Sequence, residues 1–113
     1  MNGIYFINER INLNGLSKEE SFSIQQHSIL KYIQDRNIHV ERLNPYQLND
    51  YYTIPHALLY DLKKAKVQID CFLFHSSDVM EDFIYTYPAK WLIIKSFFRE
   101  VITLNDLNVS RVV

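Results

Sequence analysis

The residues best suited to chemistry follow an apolar run in the middle of the chain. His75, Ser76, Ser77 and Asp78 place an imidazole, two hydroxyls and a carboxylate directly after the run Ile69–Phe74. These are side-chain types that nucleophilic and general acid–base catalysis use. The same residues also suit the start of a helix, with a serine as the cap and the aspartate in the first turn. The sequence favours the helix start and leaves an enzyme that uses His75 and Asp78 as an alternative.

Other kinds of catalytic or ligand site find little support. Cys71 is the only cysteine and lies inside the apolar run, which is typical of a structural thiol. The only glycines, Gly3 and Gly15, cannot form a glycine-rich phosphate loop. None of the four histidines forms a His-x-His or His-x-x-x-His pair with another; they are His27, His39, His56 and His75. We therefore expect no cofactor and no metal.

Length and composition indicate one small domain. The chain has 113 residues, 48% of them apolar, which suffices for one hydrophobic core. Its net charge of -1 argues against nucleic acid as the main partner. No apolar stretch approaches the ~20 residues that span a bilayer, and a single cysteine suits a reducing compartment. We expect a single cytoplasmic domain over residues 1–113, with no membrane partner.

The first half of the chain predicts two strands separated by a long helix. Residues 3–7 form a short apolar run suited to a buried strand. Ser17 and Glu20 have the spacing of a capping box, which predicts a helix from there to about Arg36. Residues 38–43 alternate apolar and polar side chains, as in a strand near the edge of a sheet.

The second half predicts three helices and two further strands. Pro55 suits the first turn of a helix, and Ile69–Phe74 has the continuous apolar character of a central strand. A short helical segment follows at residues 79–84, then a helix at residues 89–99 and a strand at residues 101–104. Alternating strands and helices predict an α/β fold: an open, mainly parallel sheet of four strands or slightly more, with helices on both faces, as in flavodoxin-like proteins. Ligands of such folds bind at the C-terminal ends of the strands.

The segment after Pro88 is rich in aromatic residues and predicts a protein-binding surface. In the expected helix at residues 89–99 the apolar residues fall on two stripes, of which only one can cover the sheet. The other would be exposed, and exposed aromatic surface is typical of a binding site. The alternative is that a small sheet needs a broadly apolar cover. The predicted interaction residues are Tyr87, Trp91, Ile94, Phe97 and Phe98.

Four segments follow the order of motifs in the catalytic domain of serine recombinases, the resolvases and invertases. The family carries Tyr-x-Arg-x-Ser on its first strand, Ser-Leu-x-x-Gln on the next helix, Arg-Pro-x-Leu before a later helix, and Asp-Arg-Leu-x-Arg after a buried strand. The corresponding segments here are Tyr5-Phe6-Ile7-Asn8-Glu9, Ser23-Ile24-Gln25-Gln26-His27, Ile54-Pro55-His56-Ala57 and Asp78-Val79-Met80-Glu81-Asp82. The chain thus resembles this family from Gly3 to Leu104, which implies a resolvase-like fold.

The same resemblance implies that the family's chemistry is absent. In the family a serine attacks the scissile phosphate while arginines neutralise its oxygens, and such electrostatic stabilisation supplies much of the rate. By position, Glu9 replaces the serine, Ile7, Ile54, Val79 and Asp82 replace arginines, His27 replaces the glutamine, and only Asp78 is retained. We expect no catalysis and a vestigial pocket formed by Glu9, Ile54, Asp78, Val79 and Asp82.

Two functions are compatible with these losses. The first is a bacterial or phage regulator or adaptor that acts through protein–protein contacts, with a homodimer as one form. The alternative is an inactive recombinase-like subunit that modulates an active recombinase or binds DNA weakly. Lys63, Lys64 and Lys66 are the expected DNA contacts of that alternative, although lysines also suit the C-terminal end of a helix. The family's long dimerisation helix and DNA-binding domain are expected to be missing, because the sequence ends at Val113.

Overall fold

The structure, a computed structural model, describes residues 1–105. A parallel β-sheet forms the centre of this part of the chain. Its strands are β1 (Asn2–Tyr5), β2 (His39–Val40), β3 (Ile69–Phe74) and β4 (Phe98–Thr103), in the spatial order β2-β1-β3-β4. All three pairings are parallel. This confirms the predicted open α/β fold with a four-stranded parallel sheet. The last residues of the predicted domain, 106–113, lie outside the described residues.

Helices connect the strands and cover both faces of the sheet. They are α1 (Lys18–Asp35), α2 (Pro55–Ala65), α3 (Ser77–Thr86) and α4 (Pro88–Ser96). The predicted capping box starts α1: the Ser17 hydroxyl accepts from the Glu20 amide, and the Glu20 carboxylate accepts from the Ser17 amide, both at 3.1 Å. Pro55 occupies the first turn of α2, as expected. None of the helices within residues 1–105 is long and apolar enough to cross a membrane.

Side chains of β3 alternate between two core clusters, one on each face of the sheet. Phe72 and Phe74 pack in the cluster that contains the apolar residues of α2, α3 and α4. Cys71 and Leu73 pack in the cluster that contains Ile29 of α1. The central position of β3, paired with β1 on one side and β4 on the other, explains why its sequence is apolar on both faces.

The last helix and strand differ in extent from the prediction. Helix α4 ends at Ser96 rather than near Arg99, and β4 begins at Phe98 rather than at Val101. Phe98 pairs with Ile69 of β3, and its ring stacks on Phe72 with the ring centroids 5.0 Å apart. Pairing with β3 therefore places Phe98 in strand β4, although its position in the sequence also fits the apolar stripe of a helix.

The strand order creates a switch point between β1 and β3. From β1 the chain crosses to β2 on one side, whereas the later strands β3 and β4 lie on the other. In open α/β sheets the crevice at such a point, outside the C-terminal ends of the strands, is the usual ligand site. The loop after β1 and the start of α3 therefore border the position where a ligand is expected.

Candidate functional site

A buried glutamine holds the loop that follows β1. Gln25 of α1 accepts a hydrogen bond from the Asn8 amide and donates one to the Asn8 carbonyl, both at 2.9 Å. Its side chain also donates to the Ser21 hydroxyl at 3.3 Å. Asn8 in turn donates from its side chain to the Val79 carbonyl at 3.0 Å, which links the loop to α3. This network fixes the border of the switch-point crevice.

A cleft of about 450 Å³ lies beside that loop, bounded by α2 and α3, and we call it the switch-point cleft. Its apolar lining consists of Phe6, Ile54, Pro55, Val79, Phe83 and Tyr87. Its polar lining consists of Asn8, Arg10, Thr53, His56, Asp82 and Thr86. A combination of apolar side chains with placed polar groups is the usual character of a ligand-binding cleft.

Three rings form one wall of the switch-point cleft. The His56 ring meets the Phe83 and Tyr87 rings edge-on, with centroid distances of 5.3 and 4.7 Å. The Lys90 ammonium lies 4.9 Å from the centroid of the Tyr87 ring. Edge-to-face packing of this kind is favourable and orders the rings. The wall therefore presents a defined aromatic surface.

The cleft is lined by one positively charged residue, Arg10, and one negatively charged residue, Asp82. Arg10 and Asp82 are both exposed lining residues, and neither forms an ion pair with another residue of the described part. The lining itself thus contributes one positive and one negative group, which is fewer than the several positive groups that hold a phosphate. The arrangement can bind an apolar side chain and hydrogen-bond its neighbours.

The structure brings together three of the five residues predicted to form the vestigial pocket. Ile54, Val79 and Asp82 all line the switch-point cleft, although they lie on α3 and at the start of α2. Glu9 lies apart, in a groove with residues of α1, and its carboxylate adds to burial in raising the pKa of Tyr51. Asp78 is exposed in the first turn of α3 and is outside the lining of the cleft.

The sequence match on α1 is two residues out of register with the buried face of the helix. Ser23 and His27, assigned to the Ser-Leu-x-x-Gln motif, are exposed. Ser21 and Gln25 have the same spacing and are fully buried. The signal that reveals them is the spacing of four between Ser21, Gln25 and Ile29, which places all three on one helical face.

The residues best suited to catalysis, His75, Ser76 and Asp78, differ in solvent exposure. His75 and Ser76 are only 4% and 8% exposed, whereas Asp78 is exposed. The His75 ring nitrogen Nε2 lies 3.0 Å from the side-chain nitrogen of Asn105. Ser76 is the N-cap residue of α3, without a side-chain capping bond, and Asp78 lies in the first turn as predicted. The segment thus has the position of a helix start.

Burial corrects the membership of the predicted interaction surface. Trp91, Ile94 and Phe98 are 9%, 0% and 6% exposed and belong to the core cluster under α2, α3 and α4. Phe97 is partly buried against the same cluster. These side chains cover the sheet, so they do not form a free surface. Tyr87 is 40% exposed and lines the switch-point cleft.

The three lysines predicted as DNA contacts lie at the C-terminal end of α2. Lys63 and Lys64 are in the last turn, and Lys66 is the C-cap residue in the left-handed conformation, with φ of 54°. All three are exposed, and within residues 1–105 none forms an ion pair. Their positions complement the negative end of the helix dipole.

Neither a metal site in the described residues nor a similarity to known proteins indicates a function for this site. Within residues 1–105 no group of three or more His, Cys, Asp or Glu side chains is placed to hold a metal ion. Cys71 is fully buried, and burial raises the pKa of its thiol to about 11. Comparisons with protein-family models, curated proteins and solved structures give no match.

Proposed function

We propose that this chain is a non-catalytic protein of resolvase-like fold that acts as a regulator or adaptor by binding another protein in the switch-point cleft. One observation carries the proposal. Ile54, Val79 and Asp82, where the serine recombinase resemblance expects phosphate-binding arginines, line one and the same cleft. Their convergence supports the resemblance, and their side-chain types support a change of ligand from phosphate to protein.

The electrostatics of the cleft disfavour phosphoryl transfer. A transferring phosphoryl group carries negative charge that the protein must stabilise with several positive groups. Arg10 is the single arginine in the lining, and the Asp82 carboxylate lines the same cleft. Two further expected arginine positions in the lining are the apolar Ile54 and Val79, and the remaining one, Ile7, is buried in the core cluster on the α1 face of the sheet. A phosphate in this cleft would gain little attraction and would meet a negative charge.

The apolar surface of the cleft favours a protein ligand. Ile54 is 51% exposed and Tyr87 is 40% exposed, so both present apolar surface to solvent beside the buried Phe83. Aromatic side chains in ordered pockets are typical anchors of protein interfaces. The partner is expected to insert one apolar side chain, with the adjacent polar groups bonded to Arg10 and Asp82.

Substitution of Ile54 by aspartate tests the cleft without sacrificing the fold. Ile54 is the N-cap residue of α2 and provides no side-chain capping bond, whereas aspartate is a preferred N-cap. Ile54→Asp should therefore abolish binding of an apolar group and leave the helix equally or more stable. Leu92→Asp, at an exposed position of α4 that does not line the cleft, is the matched control.

The experiment is co-purification from the native source with the parent chain and both variants. Proteins recovered by the parent and by Leu92→Asp but lost with Ile54→Asp are the expected result. If no protein were lost specifically with Ile54→Asp, the cleft would not be a binding site. Purified protein should also leave supercoiled DNA intact, and nicking or a covalent protein–DNA product would contradict a non-catalytic function.

The alternative function, an inactive subunit that acts on DNA or on a recombinase, rests on the exposed lysines of α2. It predicts binding to duplex DNA that weakens steeply with salt, since each phosphate contact releases counterions. Joint replacement of Lys63, Lys64 and Lys66 by glutamine should then reduce this binding. If the chain did not bind duplex DNA at low salt, the DNA-binding alternative would be rejected.

A further inference from the structure

The two most exposed apolar side chains in the described part of the chain belong to one loop. Leu48 is 95% exposed and Tyr46 is 87% exposed, in the connection between β2 and α2. Tyr60 of α2 is 65% exposed and borders the same groove as Tyr46, a groove of about 250 Å³. Single exposed apolar residues are ordinary, whereas several on neighbouring segments are typical of an interaction surface. We call residues 44–50 the Gln47 loop.

Hydrogen bonds of Gln47 give this loop one defined conformation. The Gln47 amide donates to the Asn44 carbonyl at 3.1 Å, and its side-chain oxygen accepts from the Asn44 amide at 3.2 Å. Its side-chain nitrogen donates to the Asn49 carbonyl at 3.0 Å. The Gln47 carbonyl accepts from Arg42, whose guanidinium also pairs with Asp50 at 2.6 Å. Polar groups thus order the loop without covering its two apolar side chains.

The loop is also tied to α2. The Tyr52 hydroxyl donates to the Asp61 carboxylate at 2.7 Å and lies 3.2 Å from the side-chain oxygen of Gln47. Burial, together with the bond to Asp61, raises the pKa of Tyr52. A loop held in its binding conformation loses less entropy when a partner arrives. Compact surface loops that are ordered by their own side chains are often functional.

The rim of the patch carries unbalanced positive charge. Lys64 lines the groove with Tyr46 and Tyr60, and Lys63 and Lys66 follow on the same helix end. Of the nearby acidic groups, Asp50 pairs with Arg42, whereas Asp61 keeps its negative charge, because the Tyr52 hydroxyl that bonds it is neutral. The three lysines outnumber this one unpaired carboxylate. The local charge is therefore positive on a chain whose net charge is -1.

We propose that the Gln47 loop and the adjoining end of α2 form a docking surface for an acidic protein, with Leu48 and Tyr46 inserted into its apolar pocket and the lysines paired with its carboxylates. Charge complementarity selects this partner over a second copy of the chain, because a two-fold contact through this patch would bring lysines together. Duplex DNA would contact the lysines mainly through its phosphates and offers no apolar pocket for Leu48 and Tyr46. This surface shares no lining residue with the switch-point cleft, so the two binding proposals can be tested independently.

Photo-crosslinking from position 46 tests the proposal in the full-length chain. Tyr46 replaced by benzoylphenylalanine should crosslink an acidic protein in the native cell extract. The same replacement of Tyr85, which is 76% exposed on α3, is the matched control and should not capture that protein. Equal capture from both positions would overturn the proposal, as would a crosslinked dimer of the chain or crosslinking to DNA alone.

Variants then separate the parts of the surface. Leu48→Ser and the combined Lys63→Gln, Lys64→Gln and Lys66→Gln chain should each lower the affinity for the captured protein by about tenfold or more. Gln47→Ala keeps both apolar side chains and should weaken binding several-fold by loosening the loop. Leu92→Asp, at an exposed position of α4 outside both surfaces, should bind the captured protein as the parent does. Unchanged affinity in Leu48→Ser or in the lysine-free chain would contradict the proposed contacts.

Discussion

The side-chain amide of Gln25 is bonded to both backbone groups of Asn8, at 2.9 Å in each case. Gln25 thus substitutes for a strand partner at the point where β1 has ended and the chain turns away from the sheet. The same asparagine reaches the Val79 carbonyl, so one buried glutamine on α1 positions the loop that borders the switch-point cleft. The shape of the cleft depends on a residue that does not line it.

Gln25→Ala is predicted to lower the free energy of unfolding by about 2 to 4 kcal/mol, because two backbone groups of Asn8 lose their partners. Gln34→Ala, an exposed glutamine on the same helix, should change it by less than about 0.5 kcal/mol. Urea denaturation of both variants measures the difference. Equal effects of the two substitutions would show that the network does not hold the loop.

Gly3 is predicted to tolerate no side chain while Cys71 and Ile38 keep their positions. A Cβ atom on Gly3 would lie 2.9 Å from both the Cys71 Sγ and the Ile38 Cγ2 atoms. Gly3→Ala should therefore cost about 1 to 3 kcal/mol, the usual cost of overpacking. In a Cys71→Ala background the same substitution should cost less, and a double-mutant cycle measures this coupling. Strictly additive effects would contradict the proposed clash.

Lys66→Gly is predicted to stabilise the domain by about 0.5 to 1 kcal/mol. Lys66 has φ of 54° at the C-cap of α2, a conformation that glycine adopts without the strain of a side chain. Lys66→Ala removes the same charge but retains the Cβ atom, so it should give no such gain. Thermal unfolding of the two variants compares them, and equal midpoints would argue against backbone strain.

Stability is predicted to fall as the pH rises above about 9. Burial raises the pKa of Cys71 from 9.0 to about 11 and that of Tyr5 from 10.0 to about 12. The unfolded chain releases these protons at lower pH than the folded chain, so alkali favours unfolding. Denaturation of Cys71→Val should show a smaller loss of stability between pH 9 and 11 than the parent. Parallel pH profiles would exclude a contribution from the thiol.

Local sequence signals predicted most of the helices and strands. The capping box at Ser17, the proline at the start of α2 and the apolar run of β3 each indicate their element through local chemistry. The boundary between α4 and β4 could not be predicted in this way. Phe97 and Phe98 suit a helix or a strand equally, and the choice is made by pairing with β3, a contact that is distant in sequence.

The candidate site was predictable only in part, for a similar reason. Ile54, Val79 and Asp82 were expected to share a pocket, and they line one cleft. Glu9 was expected there too, but it lies in the loop whose path is set by the bonds between Gln25 and Asn8, and it lines a groove with residues of α1. Side-chain hydrogen bonds between separate elements determine the path of this loop, and such bonds cannot be predicted from hydrophobic periodicity.

The central claim is that the switch-point cleft binds a protein, and the affinity of a partner recovered by co-purification tests it most directly. The measurement is isothermal titration of that purified partner into the parent chain, Ile54→Asp and Leu92→Asp. We predict an affinity at least about tenfold lower for Ile54→Asp, as expected for an anchor position, with parent-like affinity for Leu92→Asp and no loss of thermal stability in either. Equal affinities of the parent chain and a folded Ile54→Asp would contradict the account.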